Sequence, residues 1–304
     1  MAELERRTLG RTGLSVTTLG FGAMDLGGPP AANEISDDEA GRVLNAVLNA
    51  GISFIDTAVC YGSSEARIGR SISHRRHEYI LATKCGCVPG KSMGAAHIHE
   101  AGNIRAGVEH SLRTMRTDYI DIVQFHHSLA KDAWEEEGAL DELLKMKEEG
   151  KLRYVGISGV LPNLMEQIDA GIFDVFQIPY SAVQREHEAV IAKASAAGGG
   201  IVIRGGVARG APTNWDKRYY MLTSEQMRGR WDDAELDGLL DGMSWIEFMV
   251  RFTTSLPELD TTIIGTRNLD HLRENVTAAQ KGPLPEEVVS QAKQRLAAAG
   301  SLPA

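Results

Sequence analysis

The sequence predicts a single (β/α)8 barrel, the TIM-barrel architecture, over residues 1–304, with an N-terminal β-hairpin and an extra C-terminal helix. The first observation is that eight β-type runs alternate with eight helical patterns, which favours a closed barrel over an open sheet. The second is that no change in composition marks a second domain, and barrels of this length form one unit. The third is an ordinary globular composition, with 43% hydrophobic and 24% charged residues.

The first elements carry clear local signals. The segment 9–14 contains the glycine turn of a predicted β-hairpin, and the first barrel strand follows at 17–22. Ser36 and Glu39 have the spacing of a capping box at the start of the first helix, and Gly51 is a suitable residue to end it.

The strand and helix patterns then alternate to the end of the chain. Further strands are predicted at 53–58, 79–85, 119–126, 154–158, 175–180, 201–204 and 261–265. Helices are predicted at 64–72, 98–115, 140–149, 163–170, 186–197, 245–254 and 269–279, and a last one from 284 to about 298.

Two predicted connections are long, 86–97 and 205–242, and both follow strands. Active sites of such barrels lie at the C-terminal ends of the strands, so these connections are candidate functional loops. Aromatic residues in the second connection predict a packed lid, and the alternative is a mobile surface insertion.

Charge and cysteine content limit the environment and the partners. The net charge of −9, without any run of Lys or Arg, argues against nucleic acid and anionic membranes as partners. Three cysteines argue against a disulfide framework and for a reducing compartment. No signal-peptide core and no apolar run of about 20 residues is found, so we expect a cytoplasmic location.

Three β-type runs end in an ionisable residue: Asp56, Lys84 and His126. Tyr61 follows Asp56 closely in the segment Asp-Thr-Ala-Val-Cys-Tyr-Gly. If the runs are neighbouring parallel strands, these four side chains share one pocket. A tyrosine with an ordinary pKa of about 10 is a weak acid, but a nearby ammonium group lowers that pKa. The set could therefore protonate a carbonyl oxygen while a hydride reaches the carbon.

These motifs, with the segments 264–268 and 274–275, make the sequence resemble the aldo-keto reductase family over nearly its whole length. The resemblance implies an NADP(H)-dependent oxidoreductase that reduces an aldehyde or ketone, or oxidises the matching alcohol or sugar hydroxyl. It implies that Tyr61 is the general acid and that Lys84 modulates its pKa. Asp56 would support Lys84, and His126 would orient the carbonyl. His127 could carry that last role instead, although the family register favours His126.

The resemblance also implies a binding site for the nicotinamide cofactor. Its residues would be Gly22, Ala23, Met24, Asp56, Ser158, Gln177, Arg204, Gly265, Thr266, Arg267, Asn268, His271, Glu274 and Asn275. No GxGxxG fingerprint follows a strand, so a Rossmann mode is not supported. Arg267 presents a planar fork suited to phosphate, which favours NADP(H), with NAD(H) as the alternative. A structural arginine that covers a carboxylate is the competing interpretation.

Two positions depart from the family pattern. Gly159 follows Ser158 where many members have asparagine, and Arg204 stands where many have a tyrosine or tryptophan that stacks on the nicotinamide. A guanidinium can stack on an aromatic ring. We expect Arg204 either to favour the reduced cofactor or to pair with a carboxylate.

The cysteine and histidine spacing gives only weak support for a metal site. Cys85 and Cys87 with His97 and His99 could form a cluster, but Cys-x-Cys is tighter than the usual zinc spacing. We therefore predict no metal. Cys85, next to Lys84, is a candidate reactive thiolate.

The substrate would be a small carbonyl compound or alcohol. Its candidate contacts are Tyr61, His126, His127, Trp134 and Trp215. The tail 299–304 is too short for a long closing loop, so we expect an open pocket or one completed by a partner subunit in a homo-oligomer. Two other hypotheses compete. One is a nicotinamide-binding regulatory subunit with little turnover. The other is a barrel hydrolase or isomerase, against which Arg267 argues.

Overall fold

A computed structural model describes residues 3–29, 32–127, 138–208 and 224–303. Trp134, Trp215 and the middle of the 205–242 connection lie outside these ranges. Among the described helices, none has both the length and the apolar composition needed to cross a membrane.

Eight parallel strands form a closed barrel, which confirms the predicted fold class. The barrel strands are β3 (Leu19–Gly22), β4 (Phe54–Asp56), β5 (Ile80–Cys85), β6 (Ile120–Phe125), β7 (Leu152–Ser158), β8 (Val175–Pro179), β9 (Gly200–Arg204) and β10 (Thr261–Ile264). Each pairs with the next, and β10 pairs with β3 to close the barrel. The carboxyl ends of all eight strands therefore surround one opening.

The predicted N-terminal hairpin is present, and it seals one end of the barrel. It consists of β1 (Arg6–Thr8) and β2 (Ser15–Thr17), which are antiparallel. Leu9 and Leu14 are buried in one apolar cluster with residues of the barrel interior such as Phe54 and Val175. Those two residues begin their strands, so the hairpin packs at the amino-terminal end of the barrel and leaves the carboxyl end for a site. The first barrel strand was predicted to begin at residue 17, but residue 17 belongs to the hairpin.

The described helices cover the outside of the barrel. They are α1 (Asp37–Asn49), α2 (Ser64–Ser71), α3 (Ala101–Met115), α4 (Ala139–Glu148), α5 (Leu164–Asp169), α6 (Glu188–Ala196), α7 (Ser224–Asp233), α8 (Trp245–Thr254), α9 (Leu269–Gln280) and the extra α10 (Glu286–Ala298). The predicted capping box of α1 is present, since Ser36 Oγ accepts from the Glu39 backbone N–H and the Glu39 side chain accepts from the Ser36 N–H.

The described part of the long connection after β9 is packed. Trp231 in α7 is buried, its ring stacks on Trp245 at 5.0 Å between centroids, and its Nε1 donates to Asp237 Oδ1 at 2.9 Å. Trp231 also meets Phe248 edge-to-face. This part of the connection therefore belongs to the folded body and is not a mobile insertion.

Candidate active site

Neighbouring strands bring the four predicted catalytic residues to one edge of the barrel. Asp56 ends β4 and Lys84 lies one residue before the end of β5, and these two strands pair in parallel. His126 directly follows β6, which pairs with β5. Tyr61 lies in the turn between β4 and α2. The parallel register therefore determines that their side chains converge at the carboxyl end of the barrel.

Asp56 and Lys84 form a fully buried ion pair. Lys84 Nζ donates to Asp56 Oδ2 at 2.5 Å and to the Thr57 carbonyl oxygen at 2.8 Å. Asp56 Oδ1 accepts from Gln124 Nε2 at 3.1 Å and from Gln177 Nε2 at 2.8 Å. Both carboxylate oxygens are thus bonded, which is the condition for a buried charge pair to be tolerated.

Tyr61 lies between this ion pair and His126. Lys84 Nζ is 5.0 Å from the centroid of the Tyr61 ring. The Tyr61 hydroxyl is 3.4 Å from His126 Nε2, and the two rings meet edge-to-face. Burial lowers the pKa of His126 below its usual value, so the ring is neutral near pH 7. A neutral imidazole carries one N–H donor, which can point at an oxygen.

His127 stands beside His126, with the two rings nearly parallel and their centroids 5.3 Å apart. Burial lowers the pKa of His127 to about 4, so it too is neutral at pH 7. The distance between Tyr61 and His126 favours His126 over His127 as the partner of the tyrosine hydroxyl.

The predicted ligands of the nicotinamide carboxamide are connected by hydrogen bonds to the Asp56–Lys84 ion pair. Ser158 ends β7 and lies opposite Gln177 on β8. Ser158 Oγ donates to Gln177 Oε1 at 2.9 Å, and Gln177 Nε2 donates to Asp56. A group bound at Ser158 would therefore contact the same hydrogen-bond network that holds Lys84.

At the predicted nicotinamide-side turn, two backbones approach very closely. A Cβ on Gly265 would lie 2.7 Å from the Gly22 carbonyl oxygen, so only glycine permits this contact between the ends of β3 and β10. Ala23 is buried and Met24 is half-buried in the short helical turn that follows Gly22.

A cavity of about 420 Å³ lies at the predicted phosphate end of the cofactor site. It is lined by Glu34, Ile35, Glu39, Arg42, Arg267, Asn268 and Leu269. Arg267 is exposed, and its Nη1 donates to the Glu34 carbonyl oxygen at 2.8 Å. Two guanidinium groups at one exposed cavity fit the phosphate of a dinucleotide, so the residues present are compatible with such a cofactor.

The other predicted residues around this cavity have local roles as well. Asn268 caps α9, because its Oδ1 accepts from the Asp270 N–H at 2.7 Å. Thr266 Oγ1 accepts from the Asn268 N–H at 3.1 Å. Glu274 Oε1 accepts from Ser244 Oγ at 2.8 Å. His271 is exposed and Asn275 is buried on the same helix.

The comparison with known proteins agrees with this geometry. Residues 18–296 match the sequence model of the aldo/keto reductase family. The chain belongs to this family. An aldo-keto reductase from Bacillus halodurans, solved in its holo form, superposes with a TM-score of 0.83 at 27% identity and 96% coverage of both chains.

Two curated relatives illustrate the range of related activities. L-galactose dehydrogenase from Arabidopsis thaliana is 25% identical over 91% of this chain and 89% of its own length. An NADH-specific methylglyoxal reductase from Escherichia coli strain K12 is 30% identical over 61% of each chain. As an aldo/keto reductase, the protein is a carbonyl-reducing oxidoreductase that uses a nicotinamide cofactor and a small-molecule substrate.

Two residues of this aldo/keto reductase site were missed by the sequence analysis. Gln124 bonds Asp56, and its signal was a polar residue in an apolar strand two positions before His126, on the same face. Arg42 lines the predicted phosphate cavity from α1, and nothing in its local sequence separates it from a solvated helix residue.

Arg204 ends β9 and is half-buried, with its carbonyl oxygen accepting from the Tyr180 N–H at 3.2 Å. Burial lowers the pKa of the neighbouring His187 to about 4, and the positive charge of Arg204 adds to this effect. Arg204 therefore places a positive charge at the carboxyl end of the barrel. That it favours the reduced cofactor or pairs with a carboxylate stays a prediction.

The expectation that Cys85 is a reactive thiolate is wrong. Adjacent residues of a strand point to opposite faces, so Cys85 packs in the apolar layer outside the barrel while Lys84 points inward. Burial raises the pKa of the Cys85 thiol well above its usual value. The four residues considered as a metal cluster also do not converge as a set, because Cys87 and His97 meet Cys60 and His126 instead of Cys85.

Proposed function

We propose that the protein uses NADPH to reduce an aldehyde or ketone, with Tyr61 as the general acid. The observation that carries the proposal is the buried Asp56–Lys84 pair next to Tyr61, whose hydroxyl is 3.4 Å from His126. Lys84 stabilises the developing phenolate of Tyr61, since its ammonium group is held beside the tyrosine ring by Asp56. In the reverse direction, the same residues would accept a proton from an alcohol.

His126 would complete the pocket for the reacting oxygen. A proton on its Nε2 would point toward the space beside the Tyr61 hydroxyl, where a carbonyl oxygen can receive two hydrogen bonds. A nicotinamide cofactor, when bound, would supply the hydride for the carbonyl carbon. The proton then comes from Tyr61, so hydride and proton reach opposite ends of the same double bond.

Replacement of Tyr61 by phenylalanine tests the acid. We expect kcat to fall by about 10²- to 10⁴-fold because the proton donor is lost, while the NADPH Kd changes by less than about twofold. Turnover is measured with aldehydes, ketones and sugars, and with sugar alcohols and NADP⁺ for the reverse direction. Tyr119→Phe is the matched control, because Tyr119 contacts Arg76 away from the site. A Tyr61→Phe enzyme with wild-type kcat would refute the assignment, and tight NADPH binding without turnover by the wild type would indicate a regulatory subunit.

The preference for NADPH rests on the two arginines at the phosphate cavity. The carboxylates of Glu34 and Glu39 line the same cavity, and an NADH-specific relative exists, so the preference needs a direct test. We expect Arg267→Ala to weaken NADPH binding about 10-fold or more, or about 1.4 kcal/mol. NADH binding should change by less than about twofold, because NADH lacks the 2′-phosphate.

Arg273→Ala is the matched control for this measurement, since Arg273 is an exposed arginine of α9, the helix that follows Arg267, and it pairs with Asp270. Equal losses of NADPH and NADH affinity in Arg267→Ala would show that the arginine does not read the 2′-phosphate.

A further inference from the structure

Next to the catalytic tyrosine, four metal-ligating side chains meet from separate parts of the chain. Cys60 comes from the turn after β4, Cys87 and His97 from the connection after β5, and His126 from the end of β6. One ligand atom from each lies within 4.8 Å of all the others. We propose that these four residues bind one zinc ion, and that the zinc positions His126 for the reaction.

Five of the six distances between the ligand atoms are 3.1–3.4 Å, close to or somewhat below those of a tetrahedral zinc centre. Cys60 Sγ lies 3.1 Å from Cys87 Sγ and 3.4 Å from His126 Nδ1. Cys87 Sγ lies 3.1 Å from His126 Nδ1 and 3.3 Å from His97 Nε2, and the two histidine nitrogens are 3.3 Å apart. Zinc bonds of 2.0–2.3 Å in a tetrahedron place the ligand atoms about 3.3–3.8 Å apart. A slight expansion of the cluster would therefore accommodate the ion.

The chemistry of the ligands favours zinc. Two thiolates and two neutral imidazoles form a common closed zinc site, and their charge of −2 balances the charge of Zn²⁺. Binding releases the two thiol protons to solvent. Both cysteines are buried in a small apolar cluster with Tyr61, packed against Met24 and Met93, which shields the charged centre from water.

The zinc would determine which nitrogen of His126 carries the proton. His126 Nδ1 faces the cluster, and Nε2 faces the Tyr61 hydroxyl at 3.4 Å. A metal on Nδ1 leaves the proton on Nε2, where it can be donated toward the substrate oxygen. With four protein ligands the ion has no open position, so it acts through His126 and does not contact the substrate. This positioning role, unlike the metal site itself, rests on the proposed function.

Metal content gives the first test, on protein prepared without a histidine tag and reconstituted with Zn²⁺. We expect about one zinc per chain after removal of excess metal, and about one-tenth of this or less in Cys87→Ser and His97→Asn. Cys85→Ala is the matched control, because it also removes one buried thiol but should retain the zinc. A wild type without zinc, or variants that keep it, would overturn the proposal.

Two measurements on the wild type do not depend on the folding of a variant. Co²⁺ in place of zinc should give thiolate-to-cobalt charge-transfer bands and the intense visible bands of a tetrahedral site. A spectrum without these bands contradicts the ligand set. Thiol titration of the denatured protein, after zinc is chelated, should find all three cysteines free. A single free thiol would instead show a disulfide between Cys60 and Cys87 and would overturn the zinc site.

Removal of the zinc by a chelator tests the positioning of His126. We expect kcat to fall about 10- to 100-fold while the NADPH Kd is unchanged, with recovery on addition of one equivalent of Zn²⁺. An unchanged kcat would refute the positioning role. Tyr61→Phe should bind zinc like the wild type, so a failure of the proposed reductase activity leaves the metal result independent.

Discussion

At the scale of single residues, the site depends on a charge pair that is stable only as a pair. Asp56 and Lys84 are 3% and 1% exposed, so neither charge is solvated by bulk water. The hydrogen bonds from Gln124 and Gln177 to Asp56 compensate for that burial. The loss of either partner leaves a buried charge without compensation, which is more costly than the loss of a surface pair.

Asp56→Asn should therefore lower the free energy of unfolding by about 3–5 kcal/mol, or cause a large fall in kcat because Lys84 loses the partner that holds it in place. Chemical denaturation and steady-state kinetics on the same preparation distinguish the two outcomes. Asp232→Asn is the control, because its pair with Arg228 is exposed and should contribute at most about 1 kcal/mol. A loss at Asp56 no larger than the loss at Asp232, with normal kcat, would contradict the argument.

At the scale of secondary-structure elements, signals within one element and at the shared ends of parallel strands were predictable, and contacts made by a long connection were not. The capping box of α1 depends on the spacing of Ser36 and Glu39 alone, so the sequence predicted it. The ends of β4, β5 and β6 placed Asp56, Lys84 and His126 because parallel strands share one carboxyl edge. Cys87 lies beyond the end of β5 at Cys85, so strand geometry does not determine the direction of its side chain.

The meeting of Cys87 and His97 with Cys60 depends on the conformation of the connection after β5, for which the sequence holds no periodic signal. Some observed element boundaries differ by a few residues from the predicted ones, because the local backbone conformation also determines where an element begins. The helix predicted from residue 98 begins at Ala101, because the Glu100 backbone is still extended.

Removal of the cap of α1 should lower the stability of the protein. This is the helix that carries Arg42 to the predicted phosphate cavity. Ser36→Ala removes the side-chain acceptor of the Glu39 N–H. We expect a loss of about 1 kcal/mol in the free energy of unfolding, measured by urea denaturation. Ser290→Ala, at an exposed position within α10, is the control and should change stability by less than about 0.5 kcal/mol. Equal effects would show that the capping box does not stabilise the protein.

At the scale of the whole molecule, one buried carboxyl group should make stability depend on pH. Glu65 in α2 is buried between the helices and the barrel. Its Oε1 accepts from Thr83 Oγ1 at 2.7 Å and from Ser111 Oγ at 2.8 Å. These hydroxyls join α2 to β5 and α3. Burial nevertheless outweighs both hydrogen bonds and raises the pKa of Glu65 from 4.5 to about 7.

A raised carboxyl pKa means that the folded state binds the proton more tightly than the unfolded state. Between pH 4.5 and about 7 the folded protein holds this proton and the unfolded chain does not, so stability falls as pH rises. Since a tenfold change in proton affinity is worth about 1.4 kcal/mol, Glu65 contributes roughly 3 kcal/mol to this dependence. This loss of stability is complete above about pH 7 and absent below about pH 4.5.

Glu65→Gln keeps an oxygen acceptor for Thr83 and Ser111 but cannot ionise, so it should remove this dependence. We expect the variant to gain stability relative to the wild type as pH rises from 5 to 8, by roughly 2–3 kcal/mol across that range. Urea denaturation at several pH values measures the difference, and other titrating groups cancel in it. Glu148→Gln, which replaces an exposed carboxyl group, is the control measured over the same pH range. A constant difference for Glu65→Gln would mean that the carboxyl ionises as freely in the folded protein as in the unfolded chain.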